Sequence, residues 1–106
     1  MTTITEGADV LTLINVFTVE PAKQQELVDV LVQATDDTMC HLPGFVSANI
    51  HRSLDGTKVV NYAQWANKNA FEAMQKNSEA AGHMQAAAKL AKFDPIICEV
   101  SAVTST

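Results

Sequence analysis

Asp55-Gly56 constrains this chain more than any other pair, because it separates two runs that read as strands. Asp-Gly between alternating apolar residues is among the strongest short-range signals for a two-residue hairpin loop. The run after it, Val-Val-Asn-Tyr-Ala-Gln-Trp from Val59 to Trp65, is rich in β-branched and aromatic residues and holds no Gly or Pro. The expected strands are 45–54 and 57–65. A two-residue loop pairs Leu54 with Thr57, and the register follows by counting outward. Ile50 then faces Asn61, Ala48 faces Ala63 and Val46 faces Trp65 on one side of the sheet. His51, Asn49 and Ser47 meet Val60, Tyr62 and Gln64 on the other. The first side is drier and is expected to lie under helices.

The remaining segments complete an order of elements. Residues 10–19 read as a first strand whose two faces, Leu11, Leu13, Asn15 and Phe17 against Val10, Ile14 and Val16, are both largely apolar. Both should therefore be covered. Pro21 suits the first turn of a helix, and Leu27, Val28, Leu31, Ala34 and Thr38 recur at helical spacing until Pro43-Gly44. Residues 67–93 predict a helix broken at Asn77-Ser78, where a new cap is available, and many of its residues are small. Pro95 ends it, and 96–103 predict a fourth strand. Strand, helix, strand, strand, helix, strand is the split βαβ order of the α+β ferredoxin-like fold, with an antiparallel sheet and both helices on one face. In 106 residues there is room for one domain, 1–106, with its core over about 10–103. The bare sheet face needs a cover, and a second copy supplies one in a two-fold homodimer.

Composition narrows the function. The net charge is −5 and the seven Lys and Arg residues do not cluster, so the basic footprint of a nucleic-acid binder is missing. No apolar run approaches the ~18 residues of a membrane span, and no basic amphipathic segment suits a membrane surface. The first residues lack the basic and apolar regions of a secretory signal, which leaves the cytoplasm as the expected compartment. Cys40 and Cys98 lie far apart, and His41, His51 and His83 show no metal-ligand spacing. No glycine-rich phosphate loop is present, so a nucleotide cofactor is not expected. The helix-facing set holds no carboxylate pair for acid–base hydrolysis. It combines Leu13, Phe17, Ile50 and Arg52 with two amides, Asn15 and Asn61, and the indole of Trp65. A Trp at a strand end is commonly core, and a buried Asn commonly serves a neighbouring backbone group. Two amides and an indole on one dry face, however, have few partners there. Such a cavity suits a flat aromatic ligand and the stabilisation of an oxyanion.

The segment from Asp55 to Trp65 resembles the corresponding stretch of the antibiotic biosynthesis monooxygenase family, in particular its actinorhodin-pathway member. Pro43-Gly44-Phe45 matches a recurrent family signature before the second strand, and Asn15 in Ile14-Asn15-Val16-Phe17 resembles the first-strand Asn of the nogalamycin-pathway member. The resemblance spans roughly 10–103. It implies a dimeric α+β barrel and a cofactor-independent monooxygenase, working without flavin, heme or metal, that turns an anthrone-type or other polycyclic phenolic substrate into a quinone with O2. It also implies catalytic roles for Asn15, Asn61 and Trp65, with Phe71, Met74, His83 and Met84 on the substrate wall. Phe71 stands where the actinorhodin-pathway enzyme has a tyrosine with a proposed acid–base role; the nogalamycin-type enzyme also has Phe. Two alternatives remain open. Heme-degrading relatives use an Asn, a Trp and a His ligand; Asn15 fits, but Met74 stands near their helix Trp and His83 is about one position out of register. The other alternative is a binding protein without turnover.

The implied chemistry is coherent. Triplet dioxygen reacts slowly with closed-shell molecules, yet an electron-rich enolate can give it one electron. The enzyme must favour the enolate, hold dioxygen beside the reacting carbon and exclude water. Asn15 or Asn61 would donate to the enolate oxygen, and Trp65 would stack on the ring and reach a peroxide.

Overall fold

The computed structural model describes residues 1–7 and 9–106. Strand β1 (Leu11–Val19) leads through a 3-10 turn at Pro21–Lys23 into helix α1 (Gln24–Asp37), and a short 3-10 turn, Met39–His41, precedes β2 (Phe45–Arg52). Then come β3 (Lys58–Trp65), α2 (Lys68–Lys76), α3 (Ser78–Ala88) and β4 (Ala91–Cys98). The four strands form one antiparallel sheet in the order β2-β3-β1-β4. This is the ferredoxin-like α+β architecture.

The helices pack where their sequences are apolar. Leu27, Leu31 and Ala34 repeat at the four- and three-residue steps that place them on one stripe of α1, and all three are buried. Leu27 meets Phe17 and Val59 of the sheet, and these three are the largest fully buried side chains. Each contributes roughly 1.5–3 kcal/mol by leaving water. Asn67 caps α2 by accepting from the Ala70 amide (2.8 Å), and Asn77 caps α3 by accepting from the Ala80 amide (3.0 Å). The break expected at Asn77-Ser78 is therefore a capped junction between two helices.

Three local expectations need correction. The hairpin loop is four residues long, not two: Ser53 and Lys58 close it, with Ser53 N donating to Lys58 O at 2.9 Å. The Asp55 carboxylate organises it by accepting from Thr57 N (2.9 Å), Thr57 Oγ1 (2.7 Å) and Ser53 Oγ (2.7 Å). Those bonds, the Thr57 backbone amide foremost, lower the Asp55 pKa to about 2. Adding one residue to each side of the loop keeps the count, so Ile50 still faces Asn61 and Ala48 still faces Ala63. At the far end a bulge between Phe45 and Ser47 puts Phe45, not Val46, opposite Trp65 and leaves Val46 exposed. Finally, β4 begins at Ala91, five positions before the Ile96 expected, and runs through Pro95. A proline fits there because β4 is an edge strand, paired with β1 alone.

The sheet face away from the helices is partly crossed by the first residues. Thr2 Oγ1 donates to Asn49 Oδ1, and Gln64 Nε2 donates to Thr3 O, both at 2.8 Å. On the same face Ile14, Val16 and Val60 are half-buried, and the Thr12 and Tyr62 hydroxyls are buried without a hydrogen-bond partner among the described residues.

Candidate functional site

Between the sheet and the helices lies a cavity of about 390 Å³. Its floor is Leu13, Asn15 and Phe17 of β1 with Asn61, Ala63 and Trp65 of β3. Phe71 and Met74 of α2, Met84 of α3 and Met39 form the wall facing that floor. Ala34 of α1 and Ala80 and Ala81 of α3, short side chains on the helix side of the lining, leave space above the sheet. Gln75, Gln85, Phe93 and Pro95 line the cavity yet are exposed, which puts its mouth between the helices and the β4 edge.

Asn15 and Asn61 are register partners on adjacent antiparallel strands, so both amides rise side by side from the floor. Each has a buried Oδ1 with no hydrogen-bond partner among the described residues. An orphaned buried polar group costs about 1–3 kcal/mol, a cost that a ligand with a matching polar group would offset. Rotating either amide exchanges its oxygen for its NH2, so the pair can meet a phenolic O–H or an enolate oxygen. Trp65 is buried and locked edge-on against Phe45, with ring centroids 5.5 Å apart at 88°. It packs in one cluster with Leu13, Ala63 and Phe71, so its ring is held rigidly at the cavity wall.

None of the described residues lining this cavity is ionisable: it holds no Asp, Glu, Lys, Arg, His, Cys or Tyr. Nor do three or more His, Cys, Asp or Glu side chains gather anywhere among the described residues in a way that could hold a metal ion.

Eight of the eleven expected site residues meet here: Leu13, Asn15, Phe17, Asn61, Trp65, Phe71, Met74 and Met84. Three do not. Ile50 packs sideways into the Phe17–Leu27–Val59 core. Arg52, at the hairpin end of β2, lies beyond the cavity and donates through Nη1 to Gln25 Oε1 at 2.6 Å. His83 points toward the end of α1, where its Nε2 is 3.0 Å from Thr38 Oγ1 and Thr38 donates to Glu79 Oε2 at 3.1 Å. Thr38 has one hydroxyl proton, so serving Glu79 requires that His83 be the donor to Thr38. Adjacent helix positions differ by about 100°, and it is Met84 that takes the cavity-facing one. The Asn–Trp–His grouping of the heme-degrading alternative therefore does not assemble in this cavity.

Several lining residues were not anticipated. Phe45 enters through the bulge that expels Val46. Phe93 and Pro95 enter because β4 starts early, which sets them opposite Phe17 and Asn15. Alternation read from residue 91 would have found both. Met39 lies in the turn after α1, where no periodic signal reaches.

The family model described as antibiotic biosynthesis monooxygenase matches residues 10–90. The tetracenomycin-F1 monooxygenase of Streptomyces glaucescens is 48% identical over 101 residues, covering 95% of this chain and 90% of that protein. Among solved structures, the ActVA-Orf6 monooxygenase of Streptomyces coelicolor, in complex with nanaomycin D, superposes with a TM-score of 0.83 at 27% identity, over 91% of each chain. A point variant of SnoaB, a cofactor-independent oxygenase from Streptomyces nogalater, gives 0.80 at 25% identity, over 91% of this chain and 97% of that one.

Proposed function

The chain belongs to the antibiotic biosynthesis monooxygenase family and is a monooxygenase, and on that premise we propose that it oxidises a polycyclic phenol of the tetracenomycin F1 type to a quinone with O2 and no bound cofactor. In balance, a ring CH2 (or its enol tautomer) and O2 give C=O and H2O, so the substrate carbon supplies all four electrons. The observation that carries the reading is the pair of orphaned amides, Asn15 and Asn61, on the floor of a cavity without ionisable groups.

The substrate enters as a flat ring system against Trp65 and Phe71. Its carbonyl oxygen takes an N–H from one amide, which favours the enolate over the ketone. Electron transfer from the enolate to dioxygen gives a radical pair. Its collapse at the reacting carbon gives a peroxide anion, which takes back a proton to become the hydroperoxide, and loss of water leaves the quinone. With no base on the wall, the first proton leaves through the mouth to solvent or to another oxygen of the substrate. The apolar lining excludes bulk water from the radical pair and the peroxide.

The test is oxygen uptake by purified protein, without additives, on dithranol and on tetracenomycin F1. Turnover should rise with pH along the acidity of the substrate, and the midpoint should move when a more acidic substrate is used. A midpoint near pH 6.5 for every substrate would assign the base to a histidine. Traces matching the uncatalysed rate would leave a binding protein without turnover.

The same reading includes a homodimer formed through the sheet face opposite the helices. There the half-buried Val10, Ile14, Val16, Val60 and Tyr62 and the unpaired Thr12 hydroxyl await a surface. Light scattering should return twice the chain mass at micromolar concentration; the mass of one chain would refute it.

A further inference from the structure

Three of the chain's four methionines, Met39, Met74 and Met84, line the cavity, while the fourth, Met1, is fully exposed. They come from three separate segments, the turn after α1, α2 and α3, and together face the floor that carries Asn15 and Asn61. Leucine would fill similar volume. A thioether instead adapts to ligands of varied outline and is polarisable. It is also the group in this lining that a hydroperoxide oxidises most readily, since Cys40 and Cys98 lie elsewhere.

We propose that these methionines are modification sites: the substrate hydroperoxide formed in the cavity converts them to methionine sulfoxide, so that each round of catalysis carries a chance of self-oxidation. The inference rests on the monooxygenase reading above. The peroxide O–O bond breaks and its outer oxygen bonds to the methionine sulfur. Sulfur is oxidised by two electrons and the peroxide is reduced by two. The proton passes from the outer oxygen to the one left on carbon, so hydroperoxide and thioether become carbinol and sulfoxide. That carbinol is the tautomer of a hydroquinone, which leaves the site in place of quinone and water. A sulfoxide puts a strong dipole into an apolar cavity, and binding of a flat aromatic substrate weakens. Methionine sulfoxide reductases reverse the change.

The experiment divides one preparation into three. The first part turns over dithranol in air with catalase present, with oxygen uptake recorded in the same vessel. The second receives hydrogen peroxide and no substrate, and the third receives air alone. Peptide mass spectrometry then locates the added oxygens. The first part should carry oxygen on Met39, Met74 or Met84 in proportion to turnovers, with Met1 no more oxidised than in the third part. Activity should fall in step and return after treatment with the reductases. In the second part Met1 should be oxidised before the other three, because bulk peroxide meets it first. Sustained oxygen uptake with the three cavity methionines intact would overturn the inference and leave the monooxygenase reading standing. Oxidation that follows the Met1-first order despite catalase would also overturn it, since the oxidant would then come from bulk solution. Oxygen uptake at the background rate would overturn both readings together.

Discussion

Replacing the amide that holds the enolate oxygen is expected to lower kcat by about 100-fold or more, the usual loss when one preorganised donor to a developing oxyanion is removed. Asn15→Leu and Asn61→Leu are the informative changes. Leucine has the same number of side-chain heavy atoms, branched at the same position, so neither opens a cavity. Each removes a buried amide oxygen that has no partner among the described residues, and with it a destabilising term of about 1–3 kcal/mol. Thermal melts of the two variants should therefore match or exceed that of the parent while turnover collapses. An asparagine kept to satisfy the fold behaves in the opposite way, because its loss orphans a backbone group and lowers the melting temperature. Since Asn15 and Asn61 are register partners, the larger kinetic loss identifies the one that meets the oxygen. Trp65→Phe completes the set: it keeps the ring face and removes the indole N–H, so a small effect assigns Trp65 to shape and a large one to contact with the peroxide. Two variants with parental rates would remove the amides from the mechanism.

The amide pair was legible in the sequence for a simple reason. Strand alternation has a period of two, and a register once anchored at Asp55-Gly56 carries through every pair up to the first irregularity. Widening the loop by one residue on each side did not disturb it, so Asn61 stayed opposite Ile50 and on the face of Asn15. The register failed where a bulge adds a residue, between Phe45 and Ser47, because nothing in Phe-Val-Ser announces one. Pro95 misled for a different reason. Proline reads as the boundary of a strand unless the strand is known to be at an edge, and edge position is a property of the assembled sheet. His83 shows the finest limit. Helical periodicity places a residue on an arc, and choosing between His83 and Met84 for the cavity needs the helix rotation, which packing decides. The absence of every ionisable group from the lining could not be read either, since it depends on which residues of seven strands and helices, and of the turn after α1, converge.

Gly44 is where a single methyl group should do most damage to the scaffold. Its φ is +83°, in the left-handed region, where a side chain costs roughly 1–2 kcal/mol. A Cβ there would also press into the Cβ of Ala70 on α2, well inside van der Waals contact. Overpacking of that kind adds about 1–3 kcal/mol. Gly44 cannot retreat, because its carbonyl accepts from Ala66 N at 2.7 Å and ties the start of β2 to the end of β3. Gly44→Ala is therefore expected to cost about 3 kcal/mol and to lower the melting temperature by more than ~10 °C. Gly56→Ala supplies the comparison. Its φ is +82°, but a Cβ there would sit 3.4 Å from Pro21, ordinary contact, so the backbone term acts nearly alone. The difference between the two variants measures the clash with α2, and equal losses would mean that α2 gives way freely. The clash also reaches the site. Phe45 follows Gly44, and Phe71 follows Ala70, so relief by outward movement of α2 would withdraw Phe71 and Met74 from the cavity. Below its melting temperature Gly44→Ala should then show a raised KM for flat aromatic substrates, whereas Gly56→Ala, at the opposite end of β3, should leave KM at the parental value.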